Sequence, residues 1–523
     1  MPETVATFLK PLDWAVLGLY LIILTAAGIA FSRKEQKDTG DYFLGGRRMP
    51  VWAVALSIIA SSLSVATFIG VPQIAYEGNL TYLLTNLGGL IAIVIVAVWF
   101  IPAFYRANVT SIYELLGQRM GNGAKKAASA TFMIGRVFAS GARIYIAALP
   151  LSMLLFGDSG KDQAEWQIVI ACIALVVISV SYTLAGGISS VIWTEVVQTV
   201  VLLVAVLGAI WLLFHKIPLS GSQIVETLRS PSSGTGSKLT LIDTNTSPAI
   251  SFTLWTSLIA FPLMGLASYG TDHDLAQRML TCKTAIKGGQ SAVLAIALGI
   301  PIVALFMVIG LLLYVFYGEP GKMGTSAPAY VPPNSAKAFL TFILREMPPG
   351  MSGLMMAGLL SVGISSLNSA LNAMAATAIK DFYMPRWPGR DPRHYVAAGR
   401  VGVVAWGIVL AAFAILCVYW QRANSQTLID LALGVMTFAY AGLLAVFLTA
   451  LFTKRGNSTT AIAAIIVGFL VLTCLQPIAW NRYSWLLGLE GVKLAWPWHL
   501  VIGTAIAFAV CVLGKRPAEK AIE

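Results

Sequence analysis

Charge is scarce in this chain. Only 11% of its 523 residues are Asp, Glu, Lys or Arg, where a soluble domain carries about a quarter. With a mean hydropathy of +0.78, that excludes a water-soluble globular protein and points to a polytopic membrane protein. Acid is scarcer than base, 23 residues against 35, for a net charge of +12. The cations fall in short runs between apolar spans, so they read as topology signals rather than a nucleic-acid surface. The five cysteines (Cys172, Cys282, Cys417, Cys474, Cys511) show no pairing or metal-ligand spacing and read as inert thiols. The four histidines (His215, His273, His394, His499) lie at span ends or in loops. HExxH, CxxC, P-loop and nucleophile-elbow patterns are missing, so the motif content excludes the familiar enzyme classes. No inter-span segment is long enough to hold a catalytic domain. The first span lacks the basic lead-in and small-residue cleavage site of a signal peptide.

Apolar spans are what the chain has instead. About thirteen reach bridging length, near 13–31, 51–74, 80–104, 127–156, 166–184, 189–214, 250–270, 289–316, 351–380, 397–420, 427–452, 459–478 and 497–514. Odd parity puts the termini on opposite sides. Arg33, Lys34, Lys37, Arg47 and Arg48 follow the first span, and Arg106, Arg119, Lys125 and Lys126 the third. Arg278, Lys283 and Lys287, then Lys380, Arg386, Arg390, Arg393 and Arg400, then Lys454 and Arg455, and finally Lys515, Arg516 and Lys520 recur on the same side. The positive-inside rule makes that side cytoplasmic, with the amino terminus outside. The opposite loops include 217–249 and 318–350, where Ala336–Arg345 has the spacing of a short surface helix.

Polar chemistry enters the membrane at a few places. Leu359–Asp381 is long enough to span yet carries Ser361, Ser365, Ser366, Asn368, Ser369 and Asn372. Such groups are costly in lipid unless partnered. Ser365 and Ser369 are one turn apart with Ser366 beside them, and hydroxyl oxygens are hard ligands that suit a small cation. Helix-to-helix glue is the competing reading for any one of them. The second span has Ser61, Ser62 and Ser64 at its centre, Thr67 a turn on, then Gly70 and Pro72. That composition lets a helix unwind and free its carbonyls, or lets serines bond back to the preceding turn. In the seventh span Pro262, with Gly265 and Gly270, marks the weak point. Arg136 and Arg143 are seven residues apart in the fourth span. A guanidinium fork there captures a substrate carboxylate, or it snorkels or pairs structurally, which suits Arg136 better. Glu195, at the head of the sixth span, can pair with a cation, a proton or an arginine. Tyr82, Asn86 and Tyr269 are candidates to line a substrate pocket.

The stretches DYFLGGRRMPVWAVALSIIASSLSVATFIG, SYTLAGGISSVIWTEVVQ, GTDHDLAQRML, LLSVGISSLNSALNAMAATAIKDFY and TFAYAGLLAVFLTALFTKRGN resemble the sodium/solute symporter family of sugar, proline, monocarboxylate, vitamin and sialic-acid carriers. The resemblance implies an inverted five-plus-five helix repeat of the leucine-transporter type. It would comprise a leading helix at 13–31, repeats at 51–214 and 250–452, and two trailing helices at 459–514. It also implies a sodium ion held at Ala60, Leu63, Val362, Ser365 and Ser366, and a second sodium position at Glu195, Asn368 and Ser369. Family pocket positions match Ser62, Ser64, Thr67, Tyr82 and Asn86. The carboxylate-binding arginine of the sialic-acid branch aligns with Ala139, flanked by Arg136 and Arg143.

The expectation is therefore an all-α polytopic membrane protein of about 13 transmembrane helices. It would be a sodium-coupled symporter importing a small polar solute, either a sugar or a carboxylate. Its partners would be that solute, the co-transported sodium ion and the lipid bilayer, with no nucleic acid and no obligatory protein partner. A proton-coupled carrier using Glu195 is the alternative. An ion channel ranks below it, for want of a continuous polar pore or filter-like repeat.

Overall fold

The computed structural model describes residues 9–32, 43–157, 164–232, 234, 236–332, 334–423, 428–476, 480 and 492–515. Arg33, Lys34, Lys37, Arg516 and Lys520 of the expected basic face lie outside these residues, as does the end of the 459–478 span. Among the described residues every regular element is helical, and the one isolated bridge joins Arg455 to Lys515.

In chain order the main helices are α1 Pro11–Ser32, α2 Val51–Ser62, α3 Val65–Glu77, α4 Thr81–Arg106, α5 Tyr113–Met120, α6 Asn122–Phe156 and α7 Glu165–Lys216. After a short helix, α8 Gly221–Arg229, come α9 Leu254–Leu266, α10 His273–Leu280 and α11 Ala285–Gly318. A short α12 Ala338–Thr341 precedes α13 Met351–Arg386, α14 Pro392–Ala423, α15 Leu428–Phe452, α16 Ser458–Leu475 and α17 Trp496–Val512. Among the described residues seven helices are long and apolar enough to cross a membrane, or eight if the bent pair α2–α3 counts as one. Large apolar side chains such as Ile22, Val177, Trp211, Val401 and Ile408 stay exposed on the outside. Lipid is the solvent that such a surface suits.

Contacts between loops sort the chain into two faces. On one, Arg47 reaches the Val109 carbonyl, the Met49 amide the Thr281 carbonyl and Lys125 Nζ the Asp381 carboxylate, while Ser458 donates to Met120. This is where the sequence pattern gathers its cations. On the other, Asp13 accepts from the Gly350 and Gly353 amides, Lys216 pairs with Glu346 and the Leu80 amide meets the Thr240 carbonyl. Here Lys238 also caps the end of α3, donating to the Tyr76 and Glu77 carbonyls at 2.7 and 2.9 Å under the Tyr314 ring. Burial pushes its ammonium below the usual lysine range.

Helical backbone runs through all 52 residues of α7, about 78 Å if straight, far more than one bilayer needs. Its two ends lie on the same face. Trp166 packs on Phe156 of α6, whose other end meets Asp381, and Lys216 pairs with Glu346. Ile188 sits on the opposite face, beside Gly45. The segment therefore doubles back between its Glu165–Ser181 and Ile188–Lys216 parts, as two antiparallel halves.

Two helices break in mid-membrane. Between α2 and α3 the backbone extends at Leu63 and Ser64, and the axes diverge by 67°. The second break differs from the expected one. Pro262 sits inside an unbroken α9, packed where a Cβ on Gly88 of α4 would meet its ring at 2.8 Å. The chain instead passes through a π-turn, Ala267–Thr271, and breaks at Asp272, whose side chain caps α10 through the Asp274 amide. The π-turn and the N-cap aspartate together set the new helix start. The Ala336–Arg345 helix is present, but Phe339 and Phe342 are buried, Phe339 stacking on Phe68 of α3. It packs onto the bundle instead of lying on the surface.

Gly310 lets α11 meet α3: a Cβ there would overlap the Pro72 carbonyl oxygen. Gly310→Ala should cost about 1–3 kcal/mol through overpacking, read as a lowered melting temperature in detergent. An unchanged melting temperature would mean that the two helices can separate freely.

Candidate ion and substrate site

The first break frees backbone oxygen where α13 is richest in hydroxyls. The Ser64 amide, which a continuous helix would aim at the Ala60 carbonyl, turns to Thr67 Oγ1 at 3.4 Å. A Cβ built on Gly363 of α13 would touch Val65 and Ala147 at 3.4 Å, so α13 lies against the break and against α6. Ser61 Oγ lies 3.0 Å from Ser369 Oγ. Ser366 donates to its own Gly363 carbonyl at 3.2 Å. Ala60, Leu63, Val362, Ser365 and Ser366 are all buried, the first two at the end of α2 beside the break and the others on the stretch of α13 around Gly363 that packs against it.

Glu195 is the centre of a second cluster. Its Oε1 accepts from Ser61 at 3.0 Å, Ser365 at 3.2 Å and Ser369 at 2.6 Å, and its Oε2 accepts from Ser57. Arg278 of α10 completes the shell. Its Nη2 lies 2.9 Å from Oε1 and also donates to Ser369, while its Nε donates to Ser57 at 3.0 Å. Nη1 holds Asp274 at 2.6 Å. Arg278 is fully buried, so its place among the loop cations is corrected: it is an interior ion-pair residue. Asn368 faces elsewhere, its side-chain amide lying 3.3 and 3.0 Å from the Ile364 and Ser179 carbonyls. Of the three residues expected around a second ion, Glu195 and Ser369 meet and Asn368 does not join them.

Arg136 is bound on two sides. Its Nη2 lies 2.9 Å from Asp272 Oδ1 and 2.7 Å from Asp274 Oδ2, and Tyr440 donates to Asp272 at 2.7 Å. This is the structural pairing of the two readings. Arg143 has no carboxylate within ion-pair distance among the described residues. Its Nη2 faces Met436 Sδ at 3.4 Å, and its buried Nε has no partner. A cavity of about 10 Å³ lies near, lined by Arg136, Ala139, Asp272, Met436 and Tyr440, room for about one water.

The remaining pocket candidates are dispersed. Ser62 Oγ bonds back to the Ile58 carbonyl at 2.7 Å and reaches Tyr269 Oη at 3.4 Å, so the two breaks meet here. Ser64 and Thr67 hold the start of α3. Tyr82 packs edge-on against Phe252, and Asn86 Nδ2 donates to the Leu83 carbonyl at 3.0 Å within its own helix. No hydrogen bond links Tyr82 or Asn86 to Arg143 among the described residues. Sequence reasoning missed Ser57, Asp272, Asp274, Arg278 and Tyr440. The signals available were Ser57 and Ser61 at i,i+4 on α2, and the oppositely charged Asp274 and Arg278 at the same spacing.

The comparisons with known proteins agree with this architecture. Residues 42–468 match the family described as "Sodium:solute symporter family". The human sodium/iodide cotransporter is 31% identical over 73% of this chain, which spans 57% of that relative's length. The sodium/sialic acid symporter SiaT of Proteus mirabilis (strain HI4320) is 26% identical over 88% of each chain. A solved sodium-coupled sialic acid symporter, substrate-bound and outward-open, superposes with a TM-score of 0.79 at 25% identity, covering 96% of this chain and 97% of its own. A nucleobase–cation symport transporter, at 16% identity and a TM-score of 0.52 over 91% of this chain and 94% of its own, shares the fold. With its family match running through most of its length, this chain belongs to the sodium:solute symporter family.

Proposed function

We infer that the chain is a sodium-coupled symporter that imports a small polar solute bearing a carboxylate. The junction of the α2–α3 break with the serines of α13 carries this reading: it brings free carbonyls and hard hydroxyl ligands together at membrane depth. Arg143 supports the carboxylate, as a cation with a buried, unpartnered Nε and no carboxylate within ion-pair distance among the described residues. The sialic acid and monocarboxylate carriers among the relatives support it as well. A sugar that lacks an acid group remains the other substrate class, for which Asn86 would supply the polar contact.

Sodium would sit at Ala60, Leu63, Val362, Ser365 and Ser366 and stabilise the state open to the outside. The loaded carrier would then close outside and open inside by rocking one bundle against the other. In this reading about thirteen helices span the membrane. Two inverted repeats, 51–214 and 250–452, follow a leading helix and precede two trailing ones, with the amino terminus outside and the cation-rich face in the cytoplasm. The membrane potential adds about 2.3 kcal/mol per charge per 100 mV to the sodium gradient. Sodium coupling is the reading that the family supports over the proton-coupled and channel alternatives.

The test is stabilisation of the purified protein by a panel of sugars and carboxylates, in sodium and in potassium. A ligand of the folded state raises the melting temperature in a concentration-dependent way. We expect a shift from a carboxylate in sodium only. Ser365→Ala should weaken sodium affinity about tenfold or more, the worth of one hydrogen bond to a charge, with Ser366→Ala as an independent second variant. Unchanged sodium dependence in both variants would remove the site from this junction.

A further inference from the structure

The mid-membrane charges form one chain of alternating sign. Asp272 pairs with Arg136, Arg136 with Asp274, Asp274 with Arg278 and Arg278 with Glu195. Every member of the chain is buried. At its end, four serine hydroxyls from α2 and α13 surround the Glu195 carboxylate, a donor set that suits a hard cation.

We propose that the Arg278 guanidinium is a tethered cation that fills the Glu195 cradle, so that the chain couples transport to one sodium ion and not two. This rests on the sodium-symport reading above and goes beyond it by fixing the ion count. The first support is saturation. A carboxylate offers about four lone-pair sites, and Glu195 already receives Ser57, Ser61, Ser365, Ser369 and both Nε and Nη2 of Arg278. A sodium ion on Oε1 would share that oxygen with the guanidinium, whose Nη2 lies 2.9 Å from it, so the ion could enter only by pushing a like charge aside.

Displacement is opposed twice. An arginine cannot leave by losing its proton, and Arg278 is anchored from behind by Asp274 through Nη1, at 2.6 Å from both the carboxylate and the backbone carbonyl. Charge is the second support. Three carboxylates and two guanidiniums leave the paired chain with a single negative charge. One sodium at the neighbouring Ser365–Ser366 site neutralises it and leaves Arg143 for an anionic solute. A second sodium would add an uncompensated charge to a buried site, which is costly.

Counting bound sodium tests the proposal directly. The purified full-length protein in detergent is titrated with radioactive sodium alone, and the ions bound per chain at saturation are measured. The wild type should bind one ion, with a Hill coefficient of 1. Arg278→Gln opens the cradle and should bind two, with sodium raising its melting temperature more than it raises the wild type's. Arg278→Gln combined with Glu195→Gln should return to one. Two ions on the wild type, or one on a folded Arg278→Gln, would overturn the proposal. If Arg278→Gln does not fold, the wild-type count still decides. No ion on the wild type would overturn the symport reading together with it, whereas a count of two leaves that reading standing.

Discussion

Arg136→Ala should fail as a folded protein before it fails as a carrier. The guanidinium it removes sits between Asp272 and Asp274, and all three side chains are buried. Removing one partner from a buried pair costs about 3–5 kcal/mol, because the remaining charge is left without compensation. Here two carboxylates lose their counter-ion together, and Asp272 also caps α10 and holds Tyr440. The break between α9 and α10 would lose its fixed geometry. The expected result is a melting temperature strongly lowered in the absence of any solute, with little monodisperse protein recovered. Arg136→Lys keeps the charge but not the planar fork that spans both acids, and should fall between. A partial rescue by Asp274→Asn would confirm that uncompensated charge is the cause. If Arg136→Ala melts like the wild type and loses only solute binding, Arg136 belongs to the substrate site.

That arginine shows where the sequence was legible and where it stopped. The all-helical, apolar character of the chain and the gathering of most loop cations on one face follow from hydropathy and from cation runs, both local properties. The Ser-rich α2–α3 break was legible for the same reason, since Ser61, Ser62 and Ser64 lie in one run. The second break was not, because proline is a louder signal than an aspartate cap. Pro262 fits an unbroken helix against Gly88 of α4, while Asp272 earns its role only through Arg136 and Tyr440, which arrive from distant helices. Arg278 reads as a loop cation along the sequence, because it follows an apolar run and precedes Lys283 and Lys287. Its partner Glu195 is 83 residues away, and no pattern along the chain announces that pairing. Glu195 stands out as a carboxylate at the head of an apolar span, but its shell of four serines comes from two other elements. What the sequence yielded were residue types at membrane depth; which of them share a charge is a property of the packed bundle.

Arg143→Gln should behave in the opposite way to Arg136→Ala, with the fold kept and the solute lost. Arg143 faces a thioether at 3.4 Å, a weak acceptor, and its buried Nε has no partner. An uncompensated cation inside a membrane is costly, so its removal should leave the melting temperature without solute unchanged or slightly raised. The cost falls on the ligand. Truncating one side of a buried, hydrogen-bonded charge pair loses about 2–5 kcal/mol, so carboxylate affinity should drop at least about 30-fold. Arg143→Lys should recover part of that loss, as a point charge without the fork. Undiminished carboxylate binding by Arg143→Gln would turn the substrate assignment toward a neutral sugar and make Asn86 the next residue to change.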